Sequence, residues 1–327
     1  MTALVTGASG FIGRAVTRKL LEAGEKVRVL VRSRERFAAL GITEVEVLEG
    51  DITDTEAVDR AVRGIERIYA IAGTFREPNL SDARYREVNV EGVRHLLEAA
   101  RRHHVHRVVH CSTVGIHGDV KGSPVNENAP IVPEGIYEVT KAEGEALALE
   151  YGRRGDLEVV VVRPAPVYGP GDLRLLKMFK MARRNPIVLV GPGTARYHMI
   201  YIDDLAEIFL RAGRLEGLNG EALLAAGPEA PSLGELFVIL ARLLGNEDPR
   251  LLRLPAWPML MLADLCEYGF RPLGLSPPIY RRRVQFFLAN RHYRIDKLRE
   301  RLGFEPAIGV EEGLSRTASW YRENGHL

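Results

Sequence analysis

The sequence predicts an α/β fold, a doubly wound parallel sheet followed by a smaller, mostly helical C-terminal lobe. Three observations predict it. Short apolar runs alternate with helical patterns through the first half, the spacing of strand–helix–strand units joined by right-handed crossovers. A glycine-rich turn separates the first strand from the first helix. After Arg163 the texture changes, with Pro164, Pro166, Gly169, Pro170 and Gly171 in quick succession.

Six strands are expected, at Thr2–Thr6, Lys26–Val31, Val45–Glu49, Arg67–Ile71, Arg107–Cys111 and Glu158–Val162. Most are rich in Val, Ile and Leu without polar alternation, as strands buried on both faces require. The helix expected over Phe11–Ala23 sets Ile12, Val16 and Leu20 on one face and stops before Gly24. The longest helices are expected over Tyr85–His103 and Ile136–Arg153. Beyond them, Ile202–Arg211 reads as a helix, Ala222–Ala226 as one more strand, and the chain from Pro231 onward as mostly helical. The expected division is a dinucleotide-binding domain over 1–165, with 200–228 returning to it, and a substrate-binding lobe over 166–199 and 229–327.

The 327 residues are 46% hydrophobic and 27% charged, ordinary globular composition that excludes disorder and collagen-like classes. Lys and Arg number 45 against 43 Asp and Glu, a net charge of +2, which gives no reason to expect a nucleic-acid partner. Two cysteines, Cys111 and Cys266, cannot build a disulfide framework, so a reducing cytoplasm is expected. Met1 leads directly into the first strand with no leader pattern. The most apolar later stretch, Ala256 to Ala263, is too short to span a bilayer, so no membrane insertion is expected.

The loop after the first strand reads Gly7-Ala8-Ser9-Gly10-Phe11-Ile12-Gly13. Glycines let the backbone approach a pyrophosphate, whose charge rests at the positive end of the following helix. A site for NAD usually places an acidic residue at the end of the second strand, to bind the ribose 2′-hydroxyl. Here that place holds Val31 or Arg32. Arg32 suits a 2′-phosphate, with Arg36 as a second contact, so NADP(H) is preferred and NAD(H) remains open. Asp51 and Ile52, after the third strand, are placed to contact the adenine.

Tyr137 and Lys141 stand four apart on one helix face. A free tyrosine titrates near pH ~10 and is a poor base at neutrality; a nearby ammonium stabilises its phenolate. Such a tyrosine can exchange a proton with a substrate hydroxyl while hydride moves to or from a nicotinamide. Ser112 and Thr113 follow the fifth strand, where either hydroxyl can bond a substrate oxygen. Cys111 reads as a small buried apolar residue.

Together these residues resemble the extended short-chain dehydrogenase/reductase family, and the likeness runs through nearly the whole chain. It is carried by Gly7-x-x-Gly10-x-x-Gly13, Asp51-Ile52, Ala70-Ile71-Ala72-Gly73, Asn89-Val90-x-Gly92, Ser112-Thr113, Tyr137-x-x-x-Lys141 and Arg163-Pro164-x-x-Val167-Tyr168-Gly169-Pro170. Tyr201-Ile202-Asp203-Asp204-Leu205-Ala206 and the late Arg294-Ile295-Asp296-Lys297 extend it.

The resemblance implies a Rossmann fold with Thr113, Tyr137 and Lys141 as catalytic residues. The count of five back from Gly118 selects Thr113 over Ser112. Lys141 would both lower the Tyr137 pKa and hold the nicotinamide ribose. The resemblance also implies a cofactor contact from Gly7, Ser9, Gly10, Phe11, Ile12, Gly13, Ala70, Ala72, Asn89 and Ser112. Pro164, Ala165 and Val167 would lie beside the nicotinamide. Helices 85–103 and 136–153 resemble the pair that forms a homodimer.

Nucleotide-sugar epimerases and dehydratases, the enzymatic alternative, carry an Asn where this chain has Pro166 and keep the acidic residue that Arg32 replaces. The chain looks more like the branch of 3β-hydroxysteroid dehydrogenases and dihydroflavonol reductases, whose apolar substrates the segment Leu254–Leu265 would suit. A catalytically silent dinucleotide-binding sensor or assembly protein is a third reading; Thr113, Tyr137 and Lys141 together argue against it. His103, His104, His106 and His110 straddle a helix end and a strand without paired cysteines, so no metal site is expected. His117, in the loop after the fifth strand, reads either as a residue lining the substrate pocket or as a plain loop residue.

Overall fold

The computed structural model describes residues 2–75, 80–120, 122–270, 275 and 277–327. The chain runs β1 (Thr2–Thr6), α1 (Phe11–Glu22), β2 (Lys26–Val31), α2 (Arg34–Ala38), β3 (Val45–Glu49), α3 (Thr55–Val62), β4 (Arg67–Ala70), α4 (Asp82–Arg86), α5 (Gly92–Arg102), β5 (Arg107–Cys111), α6 (Ile136–Arg154) and β6 (Glu158–Pro164). It continues through β7 (Val167–Tyr168), α7 (Leu176–Ala182), β8 (Ile187–Val190), β9 (Ile200–Tyr201), α8 (Ile202–Arg214), β10 (Glu221–Ala225), α9 (Leu233–Leu243), β11 (Leu251–Leu254), α10 (Ala256–Phe270), α11 (Arg281–Phe286), α12 (Asp296–Leu302) and α13 (Val310–Glu323).

Seven strands form one parallel sheet in the order β3-β2-β1-β4-β5-β6-β10. The order reverses between β1 and β4, and the crevice beyond their carboxyl ends is where ligands bind in such sheets. The strand expected at 222–226 is β10, paired with β6. The central strands are apolar on both faces because each face meets its own core. Val5, Val29 and Val160 pack with α1 and α8 on one side; Leu4, Val108 and Val161 pack with α3, α5 and α6 on the other.

The single helix expected over Tyr85–His103 is a correction. It starts earlier, at α4, and passes through a π-helical turn at Glu87–Glu91 before α5. The wider turn brings Asn89 inward, where it is fully buried. Its Nδ2 donates to the Thr74 carbonyl at 3.2 Å and to Thr140 Oγ1 at 3.0 Å, while its Oδ1 accepts from Thr74 N at 2.8 Å. Such one-turn π insertions recur at functional sites. Gly144 lets α6 come close: a Cβ there would lie 2.3 Å from the Asn89 carbonyl oxygen.

From Pro231 onward the chain is mostly helical, as expected, through α9 to α13. β8 and β11 form a parallel pair, as do β7 and β9. The later segments are stitched back by hydrogen bonds: Asp204 accepts from Ala307 N and Ile308 N at 3.2 and 3.0 Å, and Arg294 N donates to Val125 O at 2.7 Å.

Candidate functional site

The loop between β1 and α1 is drawn tight by its glycines. Gly7 adopts φ +72°, and a Cβ there would lie 2.8 Å from the Ala72 backbone. A Cβ on Gly13 would lie 2.1 Å from the Gly7 carbonyl oxygen, so α1 can pack on its own loop only without a side chain at 13. Thr6 Oγ1 accepts from Ile71 N and Ala72 N, each at 3.1 Å, which fixes the loop after Ala70 beside Gly7. α1 starts after Gly10 with no side-chain cap and no acidic residue in its first turn. Its first N–H groups and the positive end of its dipole are thus left for an anion. Ser9 and Gly10 are exposed, and Phe11 and Ile12 are half-buried. A glycine cradle that no side chain can enter, ending at an uncapped helix, fits the diphosphate of a dinucleotide.

At the end of β2, Arg32 and Arg36 are exposed. Arg34, between them, is committed to β3: its backbone N donates to Glu49 Oε2 at 3.0 Å and its guanidinium to Val47 O at 2.6 Å. Asp51 binds Thr53 through N and Oγ1, both at 3.0 Å, and pairs with Arg84 at 3.3 Å. Burial pushes its carboxyl upward, but the Thr53 hydrogen bonds and the charges of Arg84 and Arg32 outweigh this and hold it below the usual range. Arg32 therefore lies close enough to Asp51 for their charges to act on each other, on the side of the sheet where the adenosine half of a dinucleotide would extend. Ile52 is buried against Gly92.

The expected catalytic residues come from the end of β5 and the first two turns of α6. Lys141 is buried, and its Nζ donates to the Cys111 carbonyl at 2.5 Å. Burial lowers its pKa, with Cys111 and Glu145 acting the other way. Ser112, next along the strand, keeps its Oγ buried with no hydrogen-bond partner among the described residues; a buried hydroxyl left so is placed to meet a ligand. Thr113 Oγ1 accepts from Gly115 N at 3.1 Å, which leaves its own hydrogen to donate. Tyr137, half-buried, packs in a T-shaped pair with Phe75, ring centroids 4.8 Å apart. Pro164, the last residue of β6, Ala165 after it and Val167 at the start of β7 are buried, and Ala165 N donates to Ala225 O at 2.8 Å. The Asn89 amide bonds Thr74 and Thr140, which fixes the loop that carries Gly73 against α6.

Sequence reasoning missed the polar layer beneath these groups. Glu145 and Arg163 form a buried pair, with Nε 3.0 and 3.1 Å from the two carboxylate oxygens. Arg163 also reaches the Glu127 carbonyl at 3.0 Å and His117 Nε2 at 3.3 Å. His117 Nδ1 bonds the Pro130 carbonyl at 3.0 Å. This chain locks the loop after β5 to β6, so His117 is a buried tie rather than a loop residue open to substrate. Glu138, next to Tyr137, pairs with Arg282 of α11 at 3.1 Å. Glu145 lies one turn beyond Lys141, a spacing that would have signalled a buried polar stripe on α6.

The clustered histidines diverge. His103 bonds Asp59 at 2.9 Å, His106 faces Glu216 at 3.6 Å, and His110 is buried within β5, where desolvation and then Lys141 hold its pKa well below 6.5. His106, Glu158 and Glu216 come within ligand reach of one another, but Arg107 already bridges both carboxylates. A cleft of about 450 Å³ is lined by Ser123, Pro192, Thr194, Phe287, Leu288 and His292, among others. None of Thr113, Tyr137 and Lys141 lines it, so the chemistry is placed by the side chains rather than by this cleft.

Residues 3–225 match the family described as the NAD dependent epimerase/dehydratase family. Sterol demethylase protein B of Methylococcus capsulatus is 32% identical over 338 aligned positions, covering 100% of both chains. A ceramide reductase of Caulobacter vibrioides is 28% identical over 99% of this chain and 95% of its own. Among solved structures, the dTDP-glucose 4,6-dehydratase DesIV of Streptomyces venezuelae, with NAD bound, superposes with a TM-score of 0.76 at 26% identity, covering 99% of this chain and 98% of that one.

Proposed function

The chain belongs to the NAD dependent epimerase/dehydratase family of extended short-chain dehydrogenases/reductases, and from that premise we propose that it moves a hydride between NADP(H) and a secondary alcohol or ketone on an apolar, lipid-like substrate. The observation that carries this is the buried Lys141, one helical turn from Tyr137, with Nζ on the carbonyl of Cys111, the strand residue that Ser112 and Thr113 follow. A bound nicotinamide would supply the hydride donor or acceptor. Tyr137 gives its hydroxyl proton to the substrate oxygen in reduction and takes it back in oxidation. The Lys141 ammonium stabilises the phenolate left behind, and Thr113 orients the substrate oxygen through its free hydrogen. Gly7, Ser9, Gly10, Phe11, Ile12 and Gly13 receive the diphosphate. Arg32 and Arg36 receive a 2′-phosphate, and NAD(H) is the weaker alternative.

The substrate class rests on two departures, Pro166 and Arg32, from the nucleotide-sugar pattern. The names of the relatives also support it: one acts on sterols and another reduces ceramide. The reading includes the division into 1–165 with 200–228 and 166–199 with 229–327, a homodimer through α5 and α6, and a cytoplasmic setting. Incubation of the purified protein with NADPH or NADH and a panel of keto-steroids, long-chain ketones and nucleotide sugars tests it. Stoichiometric NADPH oxidation with an apolar ketone is expected. Conversion of a nucleotide sugar without net cofactor oxidation would reject it in favour of an epimerase or dehydratase.

A further inference from the structure

We propose that the outer face of α10 docks on the surface of an anionic phospholipid bilayer. α10 is apolar on both sides, yet only one side is covered. Ala256, Met259, Leu260 and Ala263 pack on the core. On the other side stand Trp257, Met261, Leu265 and Tyr268, exposed to 69, 57, 66 and 84%. Their spacing of four, four and three residues sets them in one stripe, roughly 16 Å long at 1.5 Å per residue. Scattered exposed apolar residues are ordinary, but a contiguous stripe of this kind marks an interaction surface.

Charge identifies the partner. Over 250–294 the sequence holds eight arginines against two acidic residues, a net +6 in a chain whose total is +2. The two acids, Asp264 and Glu267, lie on α10 itself, and Arg281 engages both: its guanidinium meets Asp264 at 2.5 Å and its backbone N donates to Glu267 at 2.7 Å. Arg253 before the helix and Arg283 after it are exposed. An apolar stripe with a tryptophan at one end, a tyrosine at the other and arginines at its flanks suits a helix lying in the headgroup region of an anionic membrane. A second copy fits less well, because a two-fold contact would set one +6 region against another. No helix among the described residues is long and apolar enough to cross a membrane, so docking here means lying on the surface. The inference goes beyond the proposed reaction and does not rest on it.

The test is sedimentation of the full chain with vesicles of phosphatidylglycerol and phosphatidylcholine in equal parts, or of phosphatidylcholine alone, at low and high salt. Binding to the anionic vesicles at low salt is expected, weaker by about tenfold or more on the neutral vesicles and at high salt. Trp257→Ser with Leu265→Ser should weaken it by a similar factor while the melting curve stays in place. Tryptophan emission should shift to shorter wavelength on anionic vesicles, and Trp257→Phe, a milder change, should abolish the shift. Absence of binding, or equal binding by the double variant, would overturn the proposal. So would a dimer that the double variant dissociates, since a second copy would then be the cover.

Discussion

The sheet and the segment around α10 are both apolar, but they spend that character differently. Leu4 in β1 and Val160 in β6 are fully buried between helical layers, whereas Leu265 in α10 is 66% exposed. The groups proposed to do chemistry hang from the first kind of element. Lys141, Ser112 and Thr113 are held by a strand end and a helix whose positions the whole core determines. The segment expected to suit substrate, the end of β11 and α10, is incompletely covered. The difference teaches that the groups proposed for the chemistry are fixed by burial, while the segment proposed to suit substrate is only partly covered.

The sharpest way to break this contrast is at Tyr137. Tyr137→Phe keeps the ring against Phe75 and removes one hydroxyl, so turnover should fall about 10²–10⁴-fold on any substrate, with cofactor affinity measured by titration nearly unchanged. Lys141→Met should damage both. Stability should separate the regions next. Leu4→Ala should lower unfolding free energy in denaturant by about 2–5 kcal/mol, since nothing can fill the gap.

Protonation offers an intermediate effect in the later part of the chain. His198 links Gly227 O at 2.8 Å to Tyr293 N at 3.3 Å, and burial holds its pKa down to about 4 against an ordinary 6.5. Between those values the unfolded chain binds a proton that the folded chain does not. Stability should therefore fall as pH drops through that window, by up to about 3 kcal/mol. Melting temperatures at pH 7 and pH 4.5 check it, and His198→Gln should reduce the difference; His110, shifted in the same direction, keeps it from vanishing.

At the cofactor end, Arg32→Ala should narrow the preference for NADP(H) over NAD(H) by about 1.5–3 kcal/mol, the range for hydrogen bonds to charged groups. Equal affinities in the unmutated protein would remove that part of the reading. The smallest effect is expected at α10, where Leu265→Ala should change stability by within about 0.5 kcal/mol. A loss as large as that of Leu4→Ala would show that the stripe is covered.

The same contrast explains what could be read from the sequence. β1, β5 and β6 were legible because burial on both faces writes short apolar runs, Ala3 to Val5, Val108-Val109 and Val159 to Val162, and Gly7, Gly10 and Gly13 because the backbone there tolerates nothing larger. The β8–β11 pair was not legible: β8 has only four residues, and two of the four in β11 are exposed, so neither writes a period. The π-turn at Glu87–Glu91 escaped because it serves Asn89, whose partners Thr74 and Thr140 are 15 and 51 residues away. α3 was missed although Asp54 caps it by accepting from Glu56 N and Ala57 N, a signal present in the sequence. The exposed stripe of α10 was invisible because an apolar run does not say which of its faces the core will cover.

The account stands most directly on where the hydride goes. NADPH carrying deuterium on the transferring face of its nicotinamide C4 should be incubated with an apolar ketone that the enzyme turns over, and the product examined by mass and NMR. One deuterium on the carbinol carbon, with one NADP⁺ formed per alcohol, is the predicted result. Product free of deuterium, or cofactor recovered still reduced while a nucleotide sugar is epimerised or dehydrated, would contradict it.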